Sequence, residues 1–300
     1  MKRIMITGAG GFVAGSVLVQ ARDRWETLAV TRTSRPALEK IASRVVVRDI
    51  TDRDLTRALL VEFRPDVVIH TAALADIDYC EGHPEEAFAV NTMATDSLAA
   101  YCAEHGARLV YCSTDTVFDG RRGLYTESDR PGPVNIYARS KAEAEARVAA
   151  RGGNTVIARL SLVPGIPLLG AGNAFLPGLL RRLRAGEKAP FPVNEIRTPV
   201  DVVTLGGALL EVAASDYQGF LHLAGNTRLS RYDMACQIAR HLGYSDRLIE
   251  PVDSSTMPGR APRPADVSLD NTLARSVLTT PMLALEDGLD LAMKTAEEMC

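Results

Sequence analysis

Arg3-Ile4-Met5-Ile6-Thr7-Gly8-Ala9-Gly10-Gly11-Phe12-Val13-Ala14-Gly15 decides the fold of this chain. A short apolar run stops at a cluster of glycines, and an amphipathic segment begins at once. That order describes a β-strand, a tight turn and the first turn of a helix. Glycine permits the turn and lets backbone N–H groups approach an anion, which the positive end of the helix also favours. The spacing Gly8-x-x-Gly11-x-x-Ala14 differs from Gly-x-Gly-x-x-Gly. Ala is tolerable in the last place, where only close helix packing is required. The stretch reads as a phosphate cradle in a dinucleotide-binding fold.

Outward from it, short apolar runs alternate with helical patterns. Strands are expected at 3–7, 27–31, 45–48, 67–71, 108–112 and 155–159, and helices at 11–22, 37–42, 52–63, 84–105 and 137–150. Such alternation predicts an α/β fold, a Rossmann-type doubly wound parallel sheet with helices on both faces. Asp66-Val67-Val68-Ile69-His70 is apolar on successive residues, as suits a strand covered on both sides. After Arg159 the rhythm changes. Pro164, Gly165, Pro167, Gly170 and Gly172 break the chain before a helix expected at 174–185. After a helix at 202–214, a strand at 219–223 returns to the sheet, and helices at 231–242 and 285–298 finish the chain, with a Pro/Ser-rich loop at 251–264 between them. The expected division is a dinucleotide-binding domain of 1–162 and 199–225, with a discontinuous substrate lobe of 163–198 and 226–300.

The composition is that of an ordinary globular domain, with 300 residues, 46% hydrophobic, 24% charged and a formal charge of −3. No basic field is available for nucleic acid or an anionic membrane, so neither is an expected partner. Cys80, Cys102, Cys112, Cys236 and Cys300 are scattered, without a Cys-x-x-Cys pair, and read as reduced thiols. The five His residues are isolated, so no metal site is expected. The N-terminal apolar run ends at the Gly turn and reads as a first strand, not a signal peptide. A cytoplasmic location is the expectation, with a homodimer as the candidate assembly.

Cofactor choice is read at the second strand, which ends Ala29-Val30-Thr31-Arg32. An acid here would serve the ribose hydroxyls of NAD; Arg32 instead offers a paired contact to a 2′-phosphate. NADP(H) is therefore expected, with NAD(H) the alternative if Arg32 is only a surface residue. Asp49-Ile50 follows the third strand, where Asp can accept the adenine amino group while Ile packs on the ring. An N-cap for the next helix is the competing reading of Asp49. Thr71-Ala72-Ala73-Leu74 follows the fourth strand and is small enough to pass beneath the adenosine ribose, or to pack tightly in the core. Asn91 lies inside a helical pattern, where it either braces a neighbouring strand or touches cofactor.

The reacting groups follow. Tyr137 and Lys141 stand four residues apart on one helical face, after Ser113-Thr114-Asp115 at the end of the fifth strand. A carbonyl accepting hydride develops negative charge on oxygen and needs a proton donor beside it. Tyr137 is that donor; Lys141 and the positively charged oxidised nicotinamide are expected to lower its pKa, and Lys141 also to bond the nicotinamide ribose. Thr114 aligns the substrate oxygen. Asp115 either touches substrate or closes its turn.

These motifs resemble the extended short-chain dehydrogenase/reductase family, in the branch of dTDP-4-dehydrorhamnose reductases and related sugar-nucleotide reductases. The likeness spans nearly the whole chain. It rests on Ile6-Thr7-Gly8-Ala9-Gly10-Gly11, on Ser113-Thr114-Asp115-Thr116-Val117-Phe118-Asp119-Gly120, and on Pro133 to Lys141. Arg197-Thr198-Pro199-Val200 and His222-Leu223-Ala224-Gly225 add to it. The resemblance implies a Thr114/Tyr137/Lys141 catalytic set and cofactor contacts at Gly11, Phe12, Val13, Asp49, Ile50, Ala72 and Ala73. It implies a sugar-nucleotide substrate; in the second lobe, Asn173, Phe175 and Arg197 are the residues expected to line the cleft. Arg197 would bind a diphosphate or cap its own loop. Two features depart from the family. Leu160-Ser161-Leu162-Val163 stands where the reductases making dTDP-rhamnose tend to have Trp, and the one Trp here is Trp25. Thr116 stands where related dehydratases carry an acid, which removes a group needed to eliminate water. A cofactor-retaining sugar-nucleotide epimerase is the second enzymatic reading. A nucleotide-binding regulatory subunit resembling the β subunit of methionine adenosyltransferase is the non-catalytic one.

Overall fold

The computed structural model describes residues 1–169 and 175–298. The strands are β1 (Arg3–Thr7), β2 (Glu26–Thr31), β3 (Arg44–Val47), β4 (Val67–His70), β5 (Arg108–Thr114), β6 (Thr155–Leu160), β7 (Ala189–Pro192), β8 (Ile196–Arg197), β9 (Gly219–Leu223), β10 (Leu229–Ser230) and β11 (Ile249–Val252). Seven of them form one sheet in the order β3-β2-β1-β4-β5-β6-β9, and every pairing in it is parallel. The strand order reverses between β1 and β4, so the crevice past their carboxyl ends is the natural ligand position.

Both faces are covered. The helices Phe12–Ala21 and Val202–Ala214 pack Val17, Leu18, Leu205 and Leu209 against Ile4, Ile6, Ile69 and Val110 on one side. On the other, Arg53–Phe63, Ala94–His105 and Ile136–Arg151 pack Leu60, Leu98 and Val148 against Met5, Leu28, Val68 and Leu109. A further apolar cluster lies off the sheet, where Leu176, Leu179, Met234, Ile238, Ile249 and Leu289 meet. Helix starts are set by short polar side chains. Asp52 accepts from Leu55 N at 3.0 Å and Asn135 accepts from Ala138 N at 2.8 Å, each satisfying a donor the helix cannot.

The expected 84–105 helix is three segments: Pro84–Phe88, a π-helical turn Ala89–Met93, and Ala94–His105. Asn91 sits in that widened turn, and its side chain leaves the helix to bond other elements. Such single π turns commonly mark functional positions. A helix Ile77–Gly82, capped by Asp76, was not expected, nor were β7, β8, β10 and β11. Those strands are two to four residues long, and β7 reads Ala189-Pro190-Phe191-Pro192, too proline-rich to carry an alternating pattern. β11 begins at Ile249 and so runs into the expected 251–264 loop.

Candidate active site

Two contiguous cavities of ≈ 500 Å³ and ≈ 480 Å³ run along the carboxyl edge of the sheet and share Gly11, Thr71 and Ala73. The first holds Gly8, Gly11, Arg32, Asp49, Ile50, Ala72, Ala73 and Leu74; the second holds Phe12, Val13, Thr114, Asp115, Tyr137, Lys141 and Arg197. Asn173 lies outside the described residues.

Backbone builds the inner end. Gly8 has φ +68°, and a Cβ there would stand 2.7 Å from Ala72 Cα and N, so only glycine allows the Ala72 loop this close. Gly11 N donates to Gly8 O at 2.8 Å, closing the turn. Gly11 is the N-cap of Phe12–Ala21 and provides no side-chain cap, so the first N–H groups of that helix are left for an anion. The tight packing that the family pattern places three residues past Gly11 falls instead at Gly15, where a Cβ would stand 2.6 Å from Leu169 O.

Arg32 is exposed at the cavity edge, with Arg35 and Arg48 beside it along the same wall. The Nε atoms of Arg35 and Arg48 are buried without a hydrogen-bond partner. A glycine cradle with unsatisfied guanidinium donors beside it fits a dinucleotide carrying an extra phosphate. Asp49 accepts from Thr51 N at 2.9 Å and Thr51 Oγ at 2.7 Å, and these two bonds hold its carboxyl below the usual range. It is not the N-cap of the following helix. Asp52 is, because it lies directly before Arg53.

Asn91 braces structure. Its Oδ1 accepts from Leu74 N at 2.8 Å, and its Nδ2 donates to Leu74 O at 3.1 Å and Ser140 Oγ at 2.9 Å. One amide thus ties the loop under the cofactor cleft to the helix bearing Tyr137 and Lys141.

β5 delivers Ser113 and Thr114 to the second cavity, and the helix Ile136–Arg151 delivers Tyr137 and Lys141. Lys141 is 2% exposed; its Nζ donates to Cys112 O at 2.7 Å and lies 4.3 Å above the Tyr111 ring. Burial pushes this lysine down to about 8, against the opposing pull of Cys112 and Glu145. The Tyr137 phenol is raised, burial being the main cause, while its hydrogen bond with the Thr114 side chain works the other way. In the protein alone desolvation dominates at the phenol, and the Lys141 part of the expected lowering is not seen: its ammonium donates to the Cys112 carbonyl. The result is a tyrosine holding its proton, the form a donor needs.

Asp115, buried, accepts from Thr114 Oγ at 3.2 Å and lies 3.7 Å from Arg197 Nε. Its pKa is raised, by burial first, with Arg197 opposing. Both Asp115 readings have support, since it closes the turn and also borders the cavity. Arg197 gives its guanidinium to carbonyls of Ile196 at 2.7 Å, Ala265 at 3.2 Å and Pro264 at 3.4 Å, the loop-capping alternative.

Sequence reasoning missed the outer wall, where Glu195, Arg231 and Arg263 enter from separate segments. Glu195 lies 3.3 Å from Arg231 and 2.9 Å from Arg260, and Arg263 reaches Asp78 at 2.8 Å. Arg231 Nε is buried without a partner. In so Arg-rich a chain no local pattern distinguishes these residues. Also missed was the buried pair Glu145–Arg159 at 2.8 Å, directly behind Lys141; removing one partner of such a pair typically costs ~3–5 kcal/mol.

The doubly wound sheet, the glycine turn at its switch point and the meeting of Thr114, Tyr137 and Lys141 define an oxidoreductase of the extended short-chain dehydrogenase/reductase type. The model of the RmlD substrate binding domain matches residues 1–297, and the chain belongs to that family. A dTDP-4-dehydrorhamnose reductase of Mycolicibacterium smegmatis is 32% identical over 97% of this chain and 85% of its own length. Methionine adenosyltransferase 2 subunit beta of Bos taurus is 29% identical over 90% of this chain and 80% of its own. Among solved structures, dTDP-4-dehydrorhamnose reductase from Bacillus anthracis in complex with NADP superposes with a TM-score of 0.87 at 25% identity, covering 98% of this chain and 99% of that one.

Proposed function

We propose that this protein reduces a ketone on a nucleotide-linked deoxysugar, using NADPH, with Tyr137 as proton donor. The observation that carries this reading is the convergence of Thr114, Tyr137 and Lys141 on one cavity that opens into the glycine-lined cleft. Residues 1–162 and 199–225 serve the cofactor, and 163–198 with 226–300 serve the substrate. Bound NADPH supplies the hydride. Thr114 Oγ donates to the carbonyl oxygen and orients it, and Tyr137 passes its proton to that oxygen as charge develops there. Lys141 adds a positive charge to the cavity in which the phenolate forms. Since Arg197 is spent on its own loop, Arg231 and Arg263 are the cations assigned to the substrate diphosphate. Leu160 to Val163, the stretch without Trp, border the same cavity, so that stretch offers the sugar no aromatic ring to stack on.

The test is NADPH oxidation against a panel of 4-keto sugar nucleotides and simple ketones. At least one nucleotide-linked ketone is expected to turn over, and Tyr137→Phe is expected to lose about 10²–10⁴-fold in kcat, the usual worth of a positioned general acid, while keeping NADPH affinity. No turnover by a folded, NADPH-binding protein rejects the reductase. The likeness to an adenosyltransferase subunit favours a second reading, a nucleotide-binding module. Unchanged biological activity in Tyr137→Phe would select it.

A further inference from the structure

Glu145 follows Lys141 by one helical turn, so the two side chains share a face of Ile136–Arg151. It is 2% exposed. Its Oε1 accepts from Ser113 Oγ at 2.6 Å and Arg159 Nε at 3.0 Å, and its Oε2 accepts from Arg159 Nη2 at 2.8 Å. The Arg159 guanidinium lies between two rings, 4.9 Å from the Phe118 centroid and 4.4 Å from that of Phe220. Its Nη1 reaches His222 Nε2 at 3.4 Å, while His222 Nδ1 donates to Tyr125 O at 3.1 Å, which leaves Nε2 the acceptor. Ser113 is flanked by Cys112, whose carbonyl accepts the hydrogen bond from Lys141 Nζ, and by Thr114. One carboxylate therefore fastens the strand residue between both catalytic contacts.

We propose that Glu145 is a positioning residue: it pins the end of β5 to the helix bearing Tyr137 and Lys141 and supplies the negative charge that keeps Lys141 an ammonium in the cavity it shares with Tyr137. Only the purpose of that ammonium rests on the reductase reading.

The groups around Lys141 decide this. His70 on β4 and His222 on β9 are neutral, both held at about 3, mainly by burial. Tyr137 on its own helix, Tyr111 and Cys112 on β5 and Cys80 on Ile77–Gly82 are pushed upward by burial and stay protonated. Asp115 faces Arg197. Among the described residues, Glu145 is the carboxylate whose field supports the lysine charge, and Arg159 is the cation just beyond it. Lys141 is an ammonium below its pKa. Without the Glu145 charge, and with Arg159 left in place, that pKa falls, and the catalytic form is lost at lower pH.

The experiment uses the full chain with NADPH. The protein has five lysines, so ¹³C-lysine NMR can follow the buried one through its titration. Glu145→Gln is expected to lower the Lys141 midpoint by about one pH unit or more, since each unit is a tenfold change in protonation. The alkaline limb of kcat/KM should move with it, with NADPH affinity within about twofold of wild type. Glu145→Gln/Arg159→Gln removes both charges and should bring the midpoint only part of the way back towards wild type. Ser113→Ala should lower kcat without moving the midpoint; an unaffected kcat removes the pinning role. If Glu145→Gln does not fold, Arg159→Gln leaves the carboxylate unopposed and should raise the midpoint. A midpoint that stays put in these variants overturns the proposal even if activity falls. A wild type that reduces no ketone rejects the reductase reading and leaves the titration result standing.

Discussion

The two ends of the cleft are built from different materials. The inner end is made of backbone from one continuous stretch, Gly8 to Phe12, pressed against Ala72 and Ala73. The outer end is made of side chains, Glu195, Arg231 and Arg263, carried by segments far apart in sequence; Glu195 pairs with Arg231 and Arg260, and Arg263 with Asp78. A backbone cradle tolerates change everywhere except at the glycines that shape it. A side-chain wall can be rewritten one residue at a time without disturbing the sheet. The cofactor end is thus the conservative half in physical terms, and the substrate end is where specificity can be altered cheaply.

Gly8→Ala breaks the comparison most severely. A non-glycine residue in the left-handed region costs ~1–2 kcal/mol, and the new methyl must also displace Ala72 backbone 2.7 Å away. NADPH affinity is expected to fall by about 100-fold or more, because the donors that hold the pyrophosphate move together. Fluorescence titration with NADPH, beside thermal unfolding, separates the binding loss from the stability loss. Affinity within threefold of wild type would remove Gly8 from the cradle.

How much could be read in advance follows the same division. β1 and β9 lie where their apolar runs predicted, and the other sheet strands within two residues or so, because strands buried on both faces carry unbroken hydrophobic signals. The Gly turn and the Tyr137/Lys141 pair were legible as neighbours of one cleft because each depends on local spacing, and Thr114 because it ends an apolar strand. Asn91 was noticeable as a poor helix former, and only the fold revealed which backbone it serves. Glu145 was illegible: a Glu on an amphipathic helix reads as solvent-facing until β5 and β6 close over it. Arg159 within an apolar strand was the available hint of a buried partner. The direction of the Tyr137 shift also escaped, since spacing says nothing of where the Lys141 ammonium donates or how deeply the phenol is desolvated.

Arg231→Gln tests the outer wall with a smaller effect. Arg231 pairs with Glu195 at 3.3 Å, and its Nε lacks a partner. A charge-assisted hydrogen bond is worth ~1.5–3 kcal/mol, so KM for a sugar nucleotide should rise about 10–100-fold. Kinetic constants for a simple ketone lacking phosphate should stay near wild type. An equal loss for both substrates would mean that Arg231 supports the fold of the cleft and not the recognition of a diphosphate.

Arg35→Gln sharpens the inner end and carries the smallest expected effect. Arg32, Arg35 and Arg48 line the same wall, and a 2′-phosphate would share its charge among them. Losing one of three cations should therefore cost less than losing an isolated contact: about tenfold in NADPH affinity, or ~1.4 kcal/mol. NADH binding should barely change, because the adenosine ribose of NADH brings no phosphate to that wall. The ratio of the two dissociation constants is the discriminating measurement, as it cancels any general loosening of the cleft. If NADH and NADPH weaken together, Arg35 acts by packing over Gly10, whose Cβ position lies 3.0 Å from Arg35 Nε, and phosphate selectivity rests on Arg32 and Arg48.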